Sequence, residues 1–360
     1  MLNAPDRHVP RIHHVGRGMA ARFWQAFPRF TRSSCSFGDS MILPEDVRFH
    51  TPADVSYDWA ETNFFSVYVP EANITAWVYT IARPGIGAFV ADVSMIDSLG
   101  RTSLEALYVD FQQHLPMPER LEHYELPNGL SVRTMNEPRD YQVDYVGVDG
   151  TELHWTVRGL MEPYDIHDKS MDPLACADVD TTGFGAAYAN HFDMTVHVTG
   201  TLKVRGRIHE VDCVSTMDHS WGPRNERGLR PMGWVNASFS RSLAFQTIWT
   251  FEPFADGWHQ FRLAHGYAFI DGKVRGLVSG RQRAVRRGAF PFSYEQVLVD
   301  VDEVEHHLLG VPVAQHPWAC YSNTMPVLSM MRWFYKGQEG YGQAQENWPL
   351  DKFTGLGIRS

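Results

Sequence analysis

The 360-residue chain has no run of the ~18–20 uncharged apolar residues that a membrane-crossing helix needs. Even the stretch 81–90 is broken by Arg83, Pro84, Gly85 and Gly87. Polar and charged residues recur from the start through Arg17, so the apolar run of a secretory signal is also missing. Cysteine is scarce: Cys35, Cys176, Cys213 and Cys320 are scattered, and none forms a Cys-x-x-Cys pair. In a chain of this size they read as reduced thiols rather than a disulfide framework. Cationic charge is in deficit, with 32 Lys+Arg against 42 Asp+Glu and a net charge of −10. That balance argues against a nucleic-acid partner, because such binding rests on neutralising phosphates. Together these absences predict a cytoplasmic protein with no membrane span.

Familiar enzyme signatures are lacking too. There is no P-loop and no βαβ alternation, which sets aside nucleotide-binding doubly wound folds and TIM barrels. His209-Glu210-Val211-Asp212-Cys213 begins like a zinc-peptidase helix, but Cys213 replaces the second histidine and the surrounding pattern is that of a strand. Gly183-Phe184-Gly185-Ala186-Ala187-Tyr188 lacks the third glycine of a dinucleotide turn, and the serine of 276–280 is misplaced for a nucleophile elbow. The neighbours His306 and His307 on a strand point to opposite sides and do not share a metal.

What is present is an excess of rings, with 11 Trp, 14 Tyr, 21 Phe and 17 His, on many short β-type runs. Residues 64–69 and 74–81 are separated by Pro70-Glu71-Ala72-Asn73, a turn sequence. Runs at 130–135, 141–148 and 152–159 follow, the last two joined by Asp149-Gly150, a strong hairpin signal. After a connector over 162–190 the rhythm resumes at 194–200, 202–206, 208–217, 233–239, 243–251, 258–270 and 273–279, with a second hairpin turn at Asp271-Gly272. Runs at 294–301 and 303–309 form another pair. Helical periodicity is confined to 19–27 and 325–335. The pattern predicts a mainly β protein of two antiparallel barrel or sandwich modules, residues 1–180 and 181–360.

One block stands apart: Asp218-His219-Ser220-Trp221-Gly222-Pro223-Arg224, placed by this pattern at a strand end in the second module. Asp218 and His219 have the chemistry of an acid and a base, since burial moves either pKa toward neutrality. Trp221 offers an apolar wall, and Arg224 an anchor for Asp218 or for a ligand oxygen. The same residues would equally make a structural corner, with Asp218 accepting turn N–H groups and pairing with Arg224.

The block resembles that of the tandem-lipocalin group that includes carotenoid 1,2-hydratases and AttH-like proteins. Trp59-Ala60-Glu61-Thr62-Asn63-Phe64-Phe65, Arg83-Pro84-Gly85 and Gly340-Tyr341-Gly342 with Glu346 are similar as well. The resemblance implies two packed lipocalin-like barrels, a ligand cavity in or between them, and chemistry without metal or redox cofactor. It implicates Asp218, His219 and Trp221 in protonating an alkene. On that basis Asp218 and His219 are the expected catalytic pair. Trp221, Arg224, Trp234, Trp249, His265, Tyr267, Tyr321 and Asn323 are the expected substrate contacts, with Tyr164 and His167 as a gate between halves. Trp234 and Trp249 are expected to share a face, as are His265 and Tyr267. The expected activity is that of a cofactor-independent lyase, hydratase or isomerase acting on an apolar terpenoid or aromatic small molecule. The alternatives are a carrier that binds such a molecule without chemistry, and metal chemistry built from dispersed His and Glu.

Overall fold

The structure is a computed structural model that describes residues 42–175, 190–224, 230–252 and 254–357. Among these residues strands predominate and helix is nearly absent. The first part supplies β1 (Trp59–Val69), β2 (Ile74–Arg83), β3 (Ala88–Ile96), β4 (Tyr108–Pro116), β5 (His123–Glu125) and β6 (Leu130–Asn136). It continues with β7 (Asp140–Val146), β8 (Glu152–Gly159), β9 (Tyr164–Asp165), β10 (Asn190–Val204) and β11 (Arg207–Pro223). These eleven strands form one sheet in the order β4-β3-β2-β1-β11-β10-β8-β7-β6-β5, with β9 paired to β10.

The remaining strands are β12 (Met232–Ser240), β13 (Leu243–Phe251), β14 (Phe261–Ile270), β15 (Lys273–Arg287), β16 (Phe290–Asp300), β17 (Glu305–Pro317), β18 (Thr324–Tyr335) and β19 (Gln338–Pro349). They run in chain order and close into a barrel through the β12–β19 pair. One short helix, α1 (Leu350–Gly357), follows. No helix among the described residues is long and apolar enough to cross a membrane.

The first sheet curls into a half-barrel. Phe65 on β1 meets Tyr141 on β7 at 5.2 Å between ring centroids, although β11, β10 and β8 lie between those strands. Only a curved sheet brings them together. Burial along the strands records what covers each face. On β7 and β8 buried and more exposed residues alternate, so one face is solvated. From Ala60 to Val69 every residue of β1 is buried, because the half-barrel interior covers one face and the closed barrel the other.

The expected fold class is what the structure has. Asp271 and Gly272, at φ 53° and 74°, make the tight β14–β15 turn, for which left-handed backbone at both central positions is required. Three expectations are corrected. Residues 325–335 are strand β18, not helix. The division at residue 180 cuts the first sheet, because β10 and β11 pair with β8 and β1. The Asp218–Arg224 block therefore belongs to the first sheet. Nor does the block sit past a strand end: β11 runs through it to Pro223. The helix expected at 19–27, the glycine run at 183–188, Cys35 and Cys176 lie outside the described residues; Cys213 and Cys320 form no disulfide among the described residues.

Candidate active site

Because Asp218 and His219 are consecutive on a strand, their side chains leave opposite faces of the sheet. The expected catalytic pair does not form. Asp218 points toward the closed barrel, and His219 into the half-barrel.

Between the first sheet and the outer wall of the barrel lies a cavity of about 40 Å³, room for a few water molecules. Asp218 and Ser220 on β11, Thr62 and Phe64 on β1, and Tyr79 on β2 line it from the sheet side. Their alternate positions and the registers Thr62↔Ser220 and Phe64↔Asp218 put all of them on one face. Met232, Trp234, Ile248, Gln345 and Asn347 close it from the barrel side, with Trp318 and Tyr321 from the link between β17 and β18. His191 and Arg224 complete the wall.

Around this space nearly every polar group is tied down. Arg224 donates through Nη2 to Ser220 Oγ at 2.8 Å, and through Nη1 to the hydroxyls of Tyr79 at 3.3 Å and Tyr321 at 3.2 Å. Its backbone N–H is held by the Asp58 carbonyl at 2.7 Å. Tyr79 and Tyr321 also bond each other through their hydroxyls. Asp193, directly across the β10–β11 ladder from Asp218, accepts from Trp234 Nε1 at 2.8 Å and from Gln246 Nε2 at 3.4 Å. The other Asp193 oxygen lies 3.1 Å from Nε2 of His191.

Asp218 differs from these. Its carboxyl has no hydrogen bond among the described residues and opens onto the cavity. Burial drives its pKa up to about 7; the Asp193 carboxylate adds to the rise, while His191 and Arg224 oppose it. For His191, burial works against the charged form, but the adjoining Asp193 carboxylate wins and raises its pKa. The site thus holds a carboxylic acid near neutrality beside a histidine biased toward its charged form.

On the opposite face His219 is buried among His50, Trp221 and Phe192. Burial depresses its pKa to about 4, so it is a neutral imidazole. Trp221 lies on this face as well, stacked on His50 at 3.7 Å, and does not line the Asp218 cavity. Of the other expected contacts, Arg224, Trp234 and Tyr321 are at the cavity. Trp249 is not: Trp234 pairs with Ile248 and Gly233 with Trp249, so Trp249 turns into the closed barrel and packs there with Phe261. His265 and Tyr267 do share a face, but it is the sheet–barrel contact away from the cavity. There His265 meets Asp172 at 2.6 Å, and Tyr267 meets Thr195 at 2.9 Å. Asn323 serves through its backbone carbonyl, which accepts from Leu350 N–H at 3.0 Å. Tyr164 is buried against Tyr267, and its hydroxyl donates to the Gly266 carbonyl at 3.0 Å; His167 bonds Asn190 at 2.7 Å, and neither lines the cavity.

Sequence reasoning missed His191, Asp193, Tyr79 and Trp318. The His-x-Asp spacing at 191 and 193 continues the alternation of β10 toward its start and was a readable sign. Tyr79 and Trp318 carry none, because they arrive from strands and links far apart in the chain.

Among solved structures the chain is similar in fold to kievitone hydratase from Nectria haematococca, with TM-score 0.51, 9% identity, and 86% of this chain and 93% of that one covered. It also matches CghA in complex with Sch210972, with TM-score 0.48 and 12% identity over 82% of this chain and 89% of that one. A putative AttH from Nitrosomonas europaea gives TM-score 0.47 and 11% identity, covering 86% and 97%. A comparison with curated proteins found no match. A family model described as a domain of unknown function (DUF7064) matches residues 43–350, and the chain belongs to that family.

Proposed function

We propose that the protein is a hydratase- or lyase-type enzyme that adds water to, or removes it from, an alkene-bearing small molecule by acid–base chemistry of its own side chains. The observation that carries this reading is the partly buried Asp218 carboxyl, without a hydrogen-bond partner among the described residues and facing a cavity walled by Phe64, Trp234 and Trp318. A carboxyl whose pKa is raised toward neutrality can donate a proton near pH 7, and aromatic faces stabilise a carbocation by roughly 0.5–2 kcal/mol each.

In the hydration direction the Asp218 carboxylic acid gives its proton to one alkene carbon, and the π pair forms the new C–H bond. The cation on the other carbon faces the aromatic wall. Water adds to it through oxygen, and the proton of the resulting oxonium goes to the Asp218 carboxylate, which restores the acid. His191, oriented by Asp193, is placed to hold that water. Arg224, Tyr79 and Tyr321 offer a polar end for a substrate oxygen, and the rings favour an apolar terpenoid or aromatic body. Ordinary ligand pockets measure about 300–1,000 Å³, so binding widens this cavity. Trp318 and Tyr321 are the part of the wall that lies outside any strand ladder. The fold of kievitone hydratase, an enzyme whose name states hydration, accords with this reading.

The test is incubation with a panel of aryl-conjugated and isoprenoid alkenes in ¹⁸O-water, with mass detection of the hydrated product. Hydration by the wild type and its loss in Asp218→Asn, with tryptophan quenching by the same alkene retained, is the expected result. Binding without hydration by the wild type makes the protein a carrier, and hydration undiminished in Asp218→Asn removes Asp218 from the mechanism.

A further inference from the structure

We infer that His50, Glu61 and His219 form a binding site for one divalent transition-metal ion of the zinc type, on the sheet face opposite the Asp218 cavity. One donor atom from each of the three side chains lies within 4.8 Å of the others. Around a tetrahedral zinc with bonds of about 2.0–2.1 Å the donors stand about 3.4 Å apart, so closing the set needs only small side-chain shifts.

The orientation of each donor supports the assignment. His219 donates from Nδ1 to the Thr62 carbonyl at 2.8 Å, which leaves the lone pair on Nε2. That Nε2 is buried and has no hydrogen-bond partner, and His219 is 1% exposed. An aimed, unpartnered lone pair in the interior is costly unless something binds it.

His50 is fixed in the complementary way. Its Nε2 lies 3.1 Å from Asp46 Oδ1, and since a carboxylate only accepts, Nε2 carries the hydrogen. Its Nδ1 then faces Glu61 Oε2 at 3.3 Å, lone pair toward lone pair unless a cation or a second proton stands there. Both histidines thus hold their outward N–H on an oxygen and turn the other nitrogen inward. Outer partners of metal-bound histidines do this.

Glu61 is pre-oriented as well. Its Oε1 accepts from Thr51 Oγ1 at 3.0 Å, Trp59 Nε1 at 3.0 Å and His50 N–H at 3.0 Å. Oε2 takes only the second arm of that backbone N–H, at 2.9 Å, in addition to the His50 ring. Oε2 therefore keeps a lone pair for the ion. Trp221 stacked on His50 and Phe192 against His219 make a dry wall. Two imidazoles and one carboxylate select a borderline transition metal over calcium or magnesium, which prefer all-oxygen sets, and leave a fourth position for water. The inference is independent of the reaction proposed for the other face.

The untagged full chain, stripped with chelator and dialysed, is titrated with Zn²⁺ against a chromophoric chelator and with Co²⁺ by visible absorption. The expected result is one equivalent of Zn²⁺ per chain and the intense visible bands of low-coordinate Co²⁺. His219→Gln and His50→Gln each weaken binding by at least about 100-fold, beyond the 10–100-fold typical of outer-partner losses. His50, with a side chain 20% exposed, is the safer variant if the His219 substitution fails to fold. Zn²⁺ also raises the Tm of the wild type and not that of His50→Gln. Absence of stoichiometric binding overturns the inference, as does binding that survives the His50 substitution.

Discussion

Two interior carboxyls, one inside the closed barrel and one between barrel and sheet, separate structure from chemistry. Glu346 in the barrel accepts from Arg286 Nη1 at 2.5 Å and Nη2 at 2.8 Å, from the Tyr294 hydroxyl at 2.5 Å and from Trp348 Nε1 at 3.2 Å. Its charge is met by a cation and every lone pair is used. Asp218, only partly buried because it borders the cavity, has no hydrogen bond among the described residues, and desolvation raises its pKa to about 7 against the opposing pull of His191 and Arg224. A fold that can satisfy a buried carboxylate as fully as Glu346 leaves Asp218 unsatisfied where it borders a cavity. An unmet acid at a cavity wall has reactive capacity that a paired one has lost.

The comparison can be broken from both ends. Asp218→Asn is expected to cut turnover by roughly 10²–10⁴, the usual contribution of a general acid, while leaving the denaturant midpoint unchanged or higher, because an amide carries no charge to desolvate. A loss of stability there would show that Asp218 has a structural partner. Glu346→Ala should do the opposite. It strands the buried Arg286 guanidinium and is expected to lower unfolding free energy by roughly 3–5 kcal/mol, measured by urea titration. A change near zero would mean that water reaches the barrel interior.

Much of this architecture was legible in the alternation of the strands and in the Asp-Gly turns, because those signals are local. β18 was not. Its Met and Leu residues are good helix formers, and with both faces covered it shows no alternation: from Pro326 to Met331 every residue is buried. The end of β11 was misjudged because Gly222-Pro223 reads as a break, yet Gly222, at φ 136°, still pairs with Ala60. That one misreading put Asp218 and His219 together, since two residues past a strand end are free to converge and two within it are not. The true neighbours of Asp218 are set by register across ladders, Asp193 from β10 and Phe64 from β1, which no local spacing encodes.

Asp92 falls between the two carboxyls. It accepts from Trp77 Nε1 at 3.1 Å, from Trp318 Nε1 and from Ser94 Oγ, all neutral donors, and burial pushes its pKa up to about 6 despite them. A folded-state pKa above the unfolded one means that the native state holds the extra proton. Its stabilising contribution is therefore full below about pH 4 and is lost as pH rises through about 6. At roughly 1.4 kcal/mol per unit, wild type should fall relative to Asp92→Asn by about 2–3 kcal/mol between pH 4 and 7, read from paired urea titrations. A pH-independent difference would show that the Trp77 and Trp318 bonds suffice to keep Asp92 ionised.

The smallest effect is expected where the polar groups border the cavity and water can replace what is removed. Tyr321→Phe takes away the hydroxyl that receives Arg224 Nη1 and meets Tyr79. Arg224 keeps Ser220 and Tyr79, so the cost in stability should be about 0.5–1.5 kcal/mol, one ordinary hydrogen bond. The guanidinium then has more freedom at the end of the cavity assigned to a substrate oxygen, and binding should weaken while the rate of the bound complex stays nearly constant. A raised KM with kcat preserved marks Tyr321 as holding the binding end of the site. An equal fall in kcat would place it with Asp218 in the chemical step and shift the division between reacting and anchoring groups within the cavity.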